Sequence, residues 1–197
     1  MATPGARSGR PDEFVPTGRD EVISAILDSA GEMFAERGPA VSIRDIAARA
    51  RVNHGLVFRH FGTKERLVSA VLDHLAANLA KLMDAGAPPA EIEEAGSRQL
   101  RVIARALLDG YPVGQLQTSF PGAAKLLDEI RAGHHSDEGA RLAAAHVLAL
   151  LFGWQLFEPF LRSATGLHDY PDDALRQSIG DEMRRLTQDS AGAERNG

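Results

Sequence analysis

Apolar residues in this 197-residue chain recur at intervals of three and four, segment after segment, and each segment is cut off by glycine or proline. That spacing lays side chains along one face of an α-helix, whereas a half-buried strand needs strict alternation. From Arg19 to Arg37, the residues Val22, Ile23, Ile26, Leu27, Ala30, Met33 and Phe34 keep the helical register until Gly38-Pro39. Ser42 then precedes Ile43, Ile46, Ala47 and Ala50, with Asp45 placed as a short form of the capping-box carboxylate. Asn53 stands as the cap of His54 to Phe61, and Gly62 closes that segment. Thr63 caps a much longer helix through Leu67, Val71, Leu75, Leu79 and Met83, which runs to Gly86 and Pro88-Pro89. Ile92 to Leu108 and Gly122 to Ile130 read as two further helices around the breaker-rich Gly110 to Gly114. The expectation is an all-α protein.

The last two helices differ in kind. Gly139 to Arg162 is apolar on most of its circumference, with one stripe through Leu142, Ala149, Phe152, Leu156 and Phe160 and another through Val147, Leu151, Trp154 and Leu161. A helix apolar nearly all round must be covered on several sides, by its own core and by another molecule. Asp172 to Asp189 carries a single face of Leu175, Ile179, Met183 and Leu186. A membrane span is not expected in the first of these, because His146, Gln155, Glu158 and Pro159 interrupt it.

The chain carries no cysteine, which removes disulfides, thiolate metal sites and cysteine nucleophiles. Residues 1–18 are rich in Gly, Pro and Arg, hold no apolar signal run, and read as a disordered tail; residues 191–197 read as a frayed end. A cytoplasmic protein is expected. Net charge is −5, yet Arg37 to Leu67 holds seven basic residues against the acids Asp45 and Glu65, leaving that window at +5 and the remainder at −10. A basic window in an acidic chain marks where a polyanion docks, and the acidic remainder repels it elsewhere.

That window coincides with three short capped segments followed by a long helix, the layout of a helix-turn-helix head in which the third helix enters the major groove. Ser42, Ile46-Ala47, Ala50, Val52, Gly55, His60, Phe61, Lys64, Glu65 and Leu67 stand at the spacing of the signature of the tetracycline-repressor-like (TetR) family, which Ile43 to Leu67 resembles. Three positions depart from it. Arg51 replaces the usual turn glycine, Asn53 replaces serine at the cap, and Phe58 replaces the frequent tyrosine, whose hydroxyl would reach a phosphate. The resemblance implies that Ser42, Arg44, His60 and Lys64 bind phosphate and that Asn53, His54 and Leu56 face base edges, with Phe58 beside them and Arg59 fitting either role. Phe61 reads as core. Arg7, Arg10 and Arg19 read as part of the tail rather than as a minor-groove arm.

The resemblance further implies a double-stranded DNA operator, a homodimer, a small-molecule effector of unknown identity and no enzymatic activity. A head at residues 19–66 would be followed by a regulatory and dimerisation body at 67–190. Leu79, Met83, Ile103, Leu107, Tyr111, Phe120, Leu127, His146, Leu150 and Trp154 are the candidate pocket lining, with His146, Tyr111 and Trp154 as polar-tipped members. Val147, Leu151, Trp154, Leu156, Leu161, Leu175, Ile179, Met183 and Leu186 are the candidate dimer contacts. No cofactor or metal is expected: His134-His135-Ser136-Asp137-Glu138 contains ligand residue types, but adjacent histidines in a loop point apart.

Overall fold

The computed structural model describes Pro16 and residues 18–188, and among them every regular element is an α-helix. In chain order these are α1 (Arg19–Arg37), α2 (Ile43–Arg49), α3 (His54–Phe61), α4 (Lys64–Asp84), α5 (Pro89–Leu108), α6 (Val113–Leu116), α7 (Pro121–Arg131), α8 (Asp137–Thr165) and α9 (Asp172–Thr187). The expected tails at 1–18 and 191–197 lie outside the described residues, except for Pro16 and Gly18. The one-turn α6 was hidden among breaker residues. Pro112 leads into it, and Val113 is held by burial in the core.

Side chains cap the short helices as their types suggest. Ser42 Oγ accepts the Asp45 N–H at 3.1 Å and donates to Asp45 Oδ2 at 2.8 Å, because an aspartate is too short to reach back to the cap's own N–H. A glutamate is long enough, and Gly18 N–H donates to Glu21 Oε2 at 3.3 Å at the start of α1. Asn53 Oδ1 accepts the Gly55 N–H at 2.8 Å, and Thr63 Oγ1 accepts the Arg66 N–H at 3.2 Å. Each such cap is worth about 1 kcal/mol, which matters for helices of only two turns. In the turn between α2 and α3, Arg51 adopts φ 55°, and no other described non-glycine residue has positive φ. The glycine geometry of the turn is therefore kept, at a strain of roughly 1 kcal/mol.

The main core does not stop at the head. Ile26 and Phe34 of α1, Ile46 of α2, Val57 of α3 and Leu67, Val71 and Leu72 of α4 pack in one cluster with Val102 and Ala106 of α5 and Val113 of α6. The C-terminal half of α5 lies along α1, and their ends approach so closely that a Cβ on Gly38 would stand 2.8 Å from Asp109 Oδ2. Helix α4 is fastened on both sides. His74 pairs with Asp28 of α1 at 2.8 Å, and Asp73 accepts the Thr118 N–H at 2.8 Å, the Ser119 N–H at 3.0 Å and the Thr118 hydroxyl at 2.5 Å. Ser69 Oγ adds a bond to Leu116 O at 2.5 Å.

A second, smaller cluster joins α7 to α8 through Ile130, Ala140, Ala143 and Ala144. At 100° per residue, Ala140, Ala144 and Val147 form the inward row of α8, facing α7 and α9. This corrects two expected dimer contacts: Val147 is 1% exposed and Leu175 of α9 is 6% exposed, so both are used inside the protomer. The opposite row, Leu142, Ala149, Leu156 and Phe160, stays open apart from the half-buried Leu156, with Phe160 at 67% exposure. By length and composition α8, in which an 18-residue window reaches a mean hydropathy of 1.4, is also the one described helix long and apolar enough to cross a membrane. Its Arg141, Glu158 and Arg162 are instead ion-paired, Arg162 bridging Glu158 and Asp172 to bind α8 to α9.

Candidate nucleic-acid interface

The face that the caps build is shared by α2 and α3. Val57 is buried and fixes the rotation of α3, so His54, Gly55, Phe58 and Arg59 are exposed along its open side. Phe58 is 51% exposed, an unusual position for a phenyl ring on a helix with a core to fill. Ser42 and Arg44 are exposed beside the start of α2, where Asp45 already bonds to the Ser42 hydroxyl and the Arg44 guanidinium supplies the charge that favours an outside anion. Among the described residues no carboxylate pairs with Arg44 or Arg59.

Not all of the basic window is available. Arg49 donates from Nε to Glu32 at 2.9 Å and from both terminal nitrogens to Glu36 at 3.2 Å, and the Glu36 bond first of all raises its pKa above the usual arginine value. It fastens α2 to α1 instead of presenting charge. Lys64 is similar. Its Nζ donates to Val41 O at 2.5 Å and lies 4.9 Å from the centroid of the Phe34 ring, and burial lowers its pKa below the ordinary lysine value. The expected phosphate ligand is thus turned toward the α1–α2 loop, where it holds the segment that presents Ser42.

Two further residues are placed differently from expectation. Leu56, expected at base edges, is half-buried against the core and lines a cleft with Val22 and Arg19 of α1. Asn53 points its carbonyl oxygen at Gly55 N–H, leaving only its amide NH2 for another partner. His60 is half-buried and meets Phe61 edge-on, with ring centroids 6.4 Å apart, while Phe61 packs on the core. Arg19 is the first residue of α1, where the helical spacing started it, but instead of belonging with a disordered arm it stands in the same cleft as Arg59 and His60. Periodicity marks where a helix begins but not which distant helix it meets.

Among the described residues the ten candidate pocket residues fall into separate surroundings. Ile103 and Tyr111 are drawn onto the main core by the packing of α5 on α1, and burial first of all raises the Tyr111 pKa. Met83, Leu107 and His146 are exposed. Phe120 and Leu127 line an open cleft with Thr118, Ser119, Pro121, Ala123 and Ala124, directly beyond the bonds from Asp73. Leu79 comes near Gly96, beside the Gln155 to Ser97 hydrogen bond of 2.9 Å that ties α8 to α5, and Leu150 and Trp154 are half-buried on α8. Of the His134 to Glu138 cluster, the His134 ring sits 3.1 Å from Ile130 O and Asp137 is held by Arg131 and Arg141. Among the described residues no group of three or more potential ligands could hold a metal ion.

Residues 26–71 match the sequence profile of the bacterial regulatory proteins of the tetR family. Over 173 residues, 87% of this chain and 92% of the relative, the chain is 62% identical to the HTH-type transcriptional repressor Rv3405c of Mycobacterium tuberculosis, and equally to the HTH-type transcriptional regulator Mb3439c of Mycobacterium bovis. The fold is similar to that of SCO4454, a TetR-family transcriptional regulator from Streptomyces coelicolor, with a TM-score of 0.53 at 20% identity over 86% of this chain and 97% of that one. A TetR-family protein from Vibrio parahaemolyticus gives 0.52 at 23% identity, over 84% and 96%. The basic, capped α2–α3 unit, the long α4 behind it and a relative this similar over nearly its whole length agree: the chain belongs to the TetR family of helix-turn-helix DNA-binding transcriptional regulators.

Proposed function

We propose that the protein is a cytoplasmic, ligand-responsive repressor that binds a palindromic operator as a homodimer. The observation that carries this is the open side of α3. His54, Phe58 and Arg59 are held outward by the buried Val57 while Ser42 and Arg44 flank them at the start of α2. Groove contacts then fall to His54, the Asn53 amide and Phe58, whose ring suits a thymine methyl or a sugar better than a phosphate. Arg44 takes a phosphate, Ser42 joins it only by withdrawing its hydroxyl proton from Asp45, and Lys64 is a positioning residue. Base contacts supply preference, and phosphate contacts supply affinity and register.

Selection from random DNA tests this assignment. The wild type should yield a pseudo-palindrome. His54→Ala should change the preferred bases by about 1 to 3 kcal/mol at a contacted pair, whereas Arg44→Ala should weaken all sequences alike and lower the salt slope by about one for each phosphate it no longer neutralises. If Arg44→Ala rewrites the consensus and His54→Ala does not, α3 is not the reading element.

The dimer reading rests on α8. Its outer row is exposed in the protomer at Leu142, Ala149 and Phe160 and half-buried at Leu156, and a two-fold axis beside it would cover the row with its own copy. Ile179, Met183 and Leu186 of α9 are half-buried beside it and extend the same surface. Leu151, Trp154 and Leu161 border this surface. Two copies joined there present two α3 helices to one duplex.

Effector control would pass through α4, the one element bonded to α1 at His74 and to the α6–α7 segment at Ser69 and Asp73. A ligand that prefers one arrangement of the 116–127 segment shifts the population of α4 with it, by a coupling of about 1 to 3 kcal/mol. Thermodynamic reciprocity supplies the test. Bound operator must lower the affinity of a releasing ligand by the same factor, and Asp73→Ala should shrink that factor while sparing the affinity for operator. An operator-independent ligand affinity in the wild type would remove the sensing half of the proposal.

A further inference from the structure

A cleft of about 450 Å³ opens between the first turn of α1 and the recognition helix α3, lined by Arg19, Val22, Leu56, Arg59 and His60. Its floor is apolar, from Val22 and the half-buried Leu56, and its rim is wholly basic or basic on protonation. Among the described residues no carboxylate lines it. Among the described residues neither Arg19 nor Arg59 forms an ion pair, unlike Arg49 nearby, which is neutralised by Glu32 and Glu36. Two arginines that line one cleft with no ion-pair partner among the described residues are both free to attract a bound anion. The pole of the nineteen-residue α1 lies beside the cleft but is met by Asp20 and Glu21 of its own first turn, so the attraction for an anion falls to the two arginines.

We infer that Arg19, Arg59 and His60 form a clamp for one phosphodiester of the DNA strand that borders the groove read by α3, with the sugar resting on Leu56 and Val22. This rests on α3 as the groove element and deepens it in two ways. It adds Arg19, on a different helix, to the DNA contacts. It also assigns Arg59 to phosphate rather than to base edges, because its side chain shares the cleft with Arg19. Guanidinium is the suited group, since its planar fork meets two phosphate oxygens at once. A free phosphate presents the same oxygens as a phosphodiester, but only a DNA strand brings a sugar for the apolar floor and continues past the cleft along α3.

The test uses the full-length protein with the duplex selected by the wild type and with a scrambled duplex, titrated by fluorescence anisotropy from low to high salt. Arg19→Ala should weaken both duplexes by about tenfold and reduce the magnitude of the log K against log salt slope by about one for each half-site. Their affinity ratio should stay unchanged. Arg19→Lys should recover part of the affinity and the whole slope, since it restores the charge but not the fork. Arg19 is exposed, so thermal melting of both variants should match the wild type. A wild-type slope and affinity in Arg19→Ala would overturn the clamp while leaving the reading of α3 intact. Failure of the wild type to prefer any duplex would strike that reading first. Inorganic phosphate and a mononucleotide are titrated in parallel. Binding of either that Arg19→Ala abolishes, with DNA affinity and slope unmoved, would assign the cleft to a free anion and overturn the inference.

Discussion

The double variant Leu156→Glu/Phe160→Glu should run as a monomer at micromolar concentration and bind the selected operator about 100-fold or more weakly than the wild type. Both residues lie on the row of α8 that points away from α7 and α9, and Phe160 is among the most exposed large apolar residues described. Four carboxylates brought into one two-fold interface would each need desolvation without a partner, a cost far above the hydrophobic stabilisation removed. The effect on DNA is then one of effective concentration. Each α3 keeps its own contacts, but the second half-site is no longer presented by the first binding event, and avidity gains of this kind are on the order of 10² to 10⁴. Sedimentation equilibrium and operator titration read the two parts separately. Circular dichroism should show an intact helical fold, because the inward row from Ala140 to Val147 is untouched. A variant that remains dimeric would move the interface off this face of α8.

The largest loss of stability is expected from Phe34→Ala. The ring is fully buried at the meeting of α1, α2 and α4, and the Lys64 ammonium rests over it. Truncation of a buried phenylalanine costs about 3 to 5 kcal/mol through the transfer energy forgone and the cavity left behind. The cation–π contact adds about 0.5 to 1 kcal/mol at such a half-exposed site. Since Val102, Ala106 and Val113 belong to the same cluster, α5 and α6 should melt together with the head instead of surviving as a separate unit. Urea unfolding followed by far-UV circular dichroism, with the single tryptophan Trp154 as a second probe on α8, checks both points. A loss below about 1 kcal/mol, or a helical plateau equal to α5 through α9, would contradict the shared core.

Much of this was legible in the sequence because it depends on neighbours in the chain. A helix start is decided by whether a side chain three residues away can meet a free N–H, so Ser42, Asn53 and Thr63 declared themselves as caps. Burial of Ile46, Ala47 and Ala50 followed from helical period, whereas the rotation of α3 did not, since it buries Val57 and turns Leu56 toward the core instead of toward base edges. The turn at Arg51 was readable as a conflict between residue type and geometry, and the positive φ shows that geometry prevailed.

What depended on distant partners was not legible. Lys64 and Arg49 looked alike as positive charges in a basic window, and only the positions of Val41 O, Phe34, Glu32 and Glu36 turned both inward. Arg19 opened a helix in the sequence, but only the placement of α1 beside α3 brought it to Arg59 and His60. The sequence pointed mainly to the stripe of Val147, Leu151, Trp154 and Leu161 as the partner's, but hydrophobic attraction has no direction and a stripe does not name what covers it. The positions of α7 and α9 decided that, assigning Val147 to the protomer and leaving Phe160 outside. Spacing along the chain thus determined the helices, their caps and the residues that share a face, because these are set by bonds and contacts within about one turn. Which charge is free, which stripe is open and how far the head's core extends into α5 were decided by tertiary packing, because each depends on groups tens of residues away brought within a few ångströms.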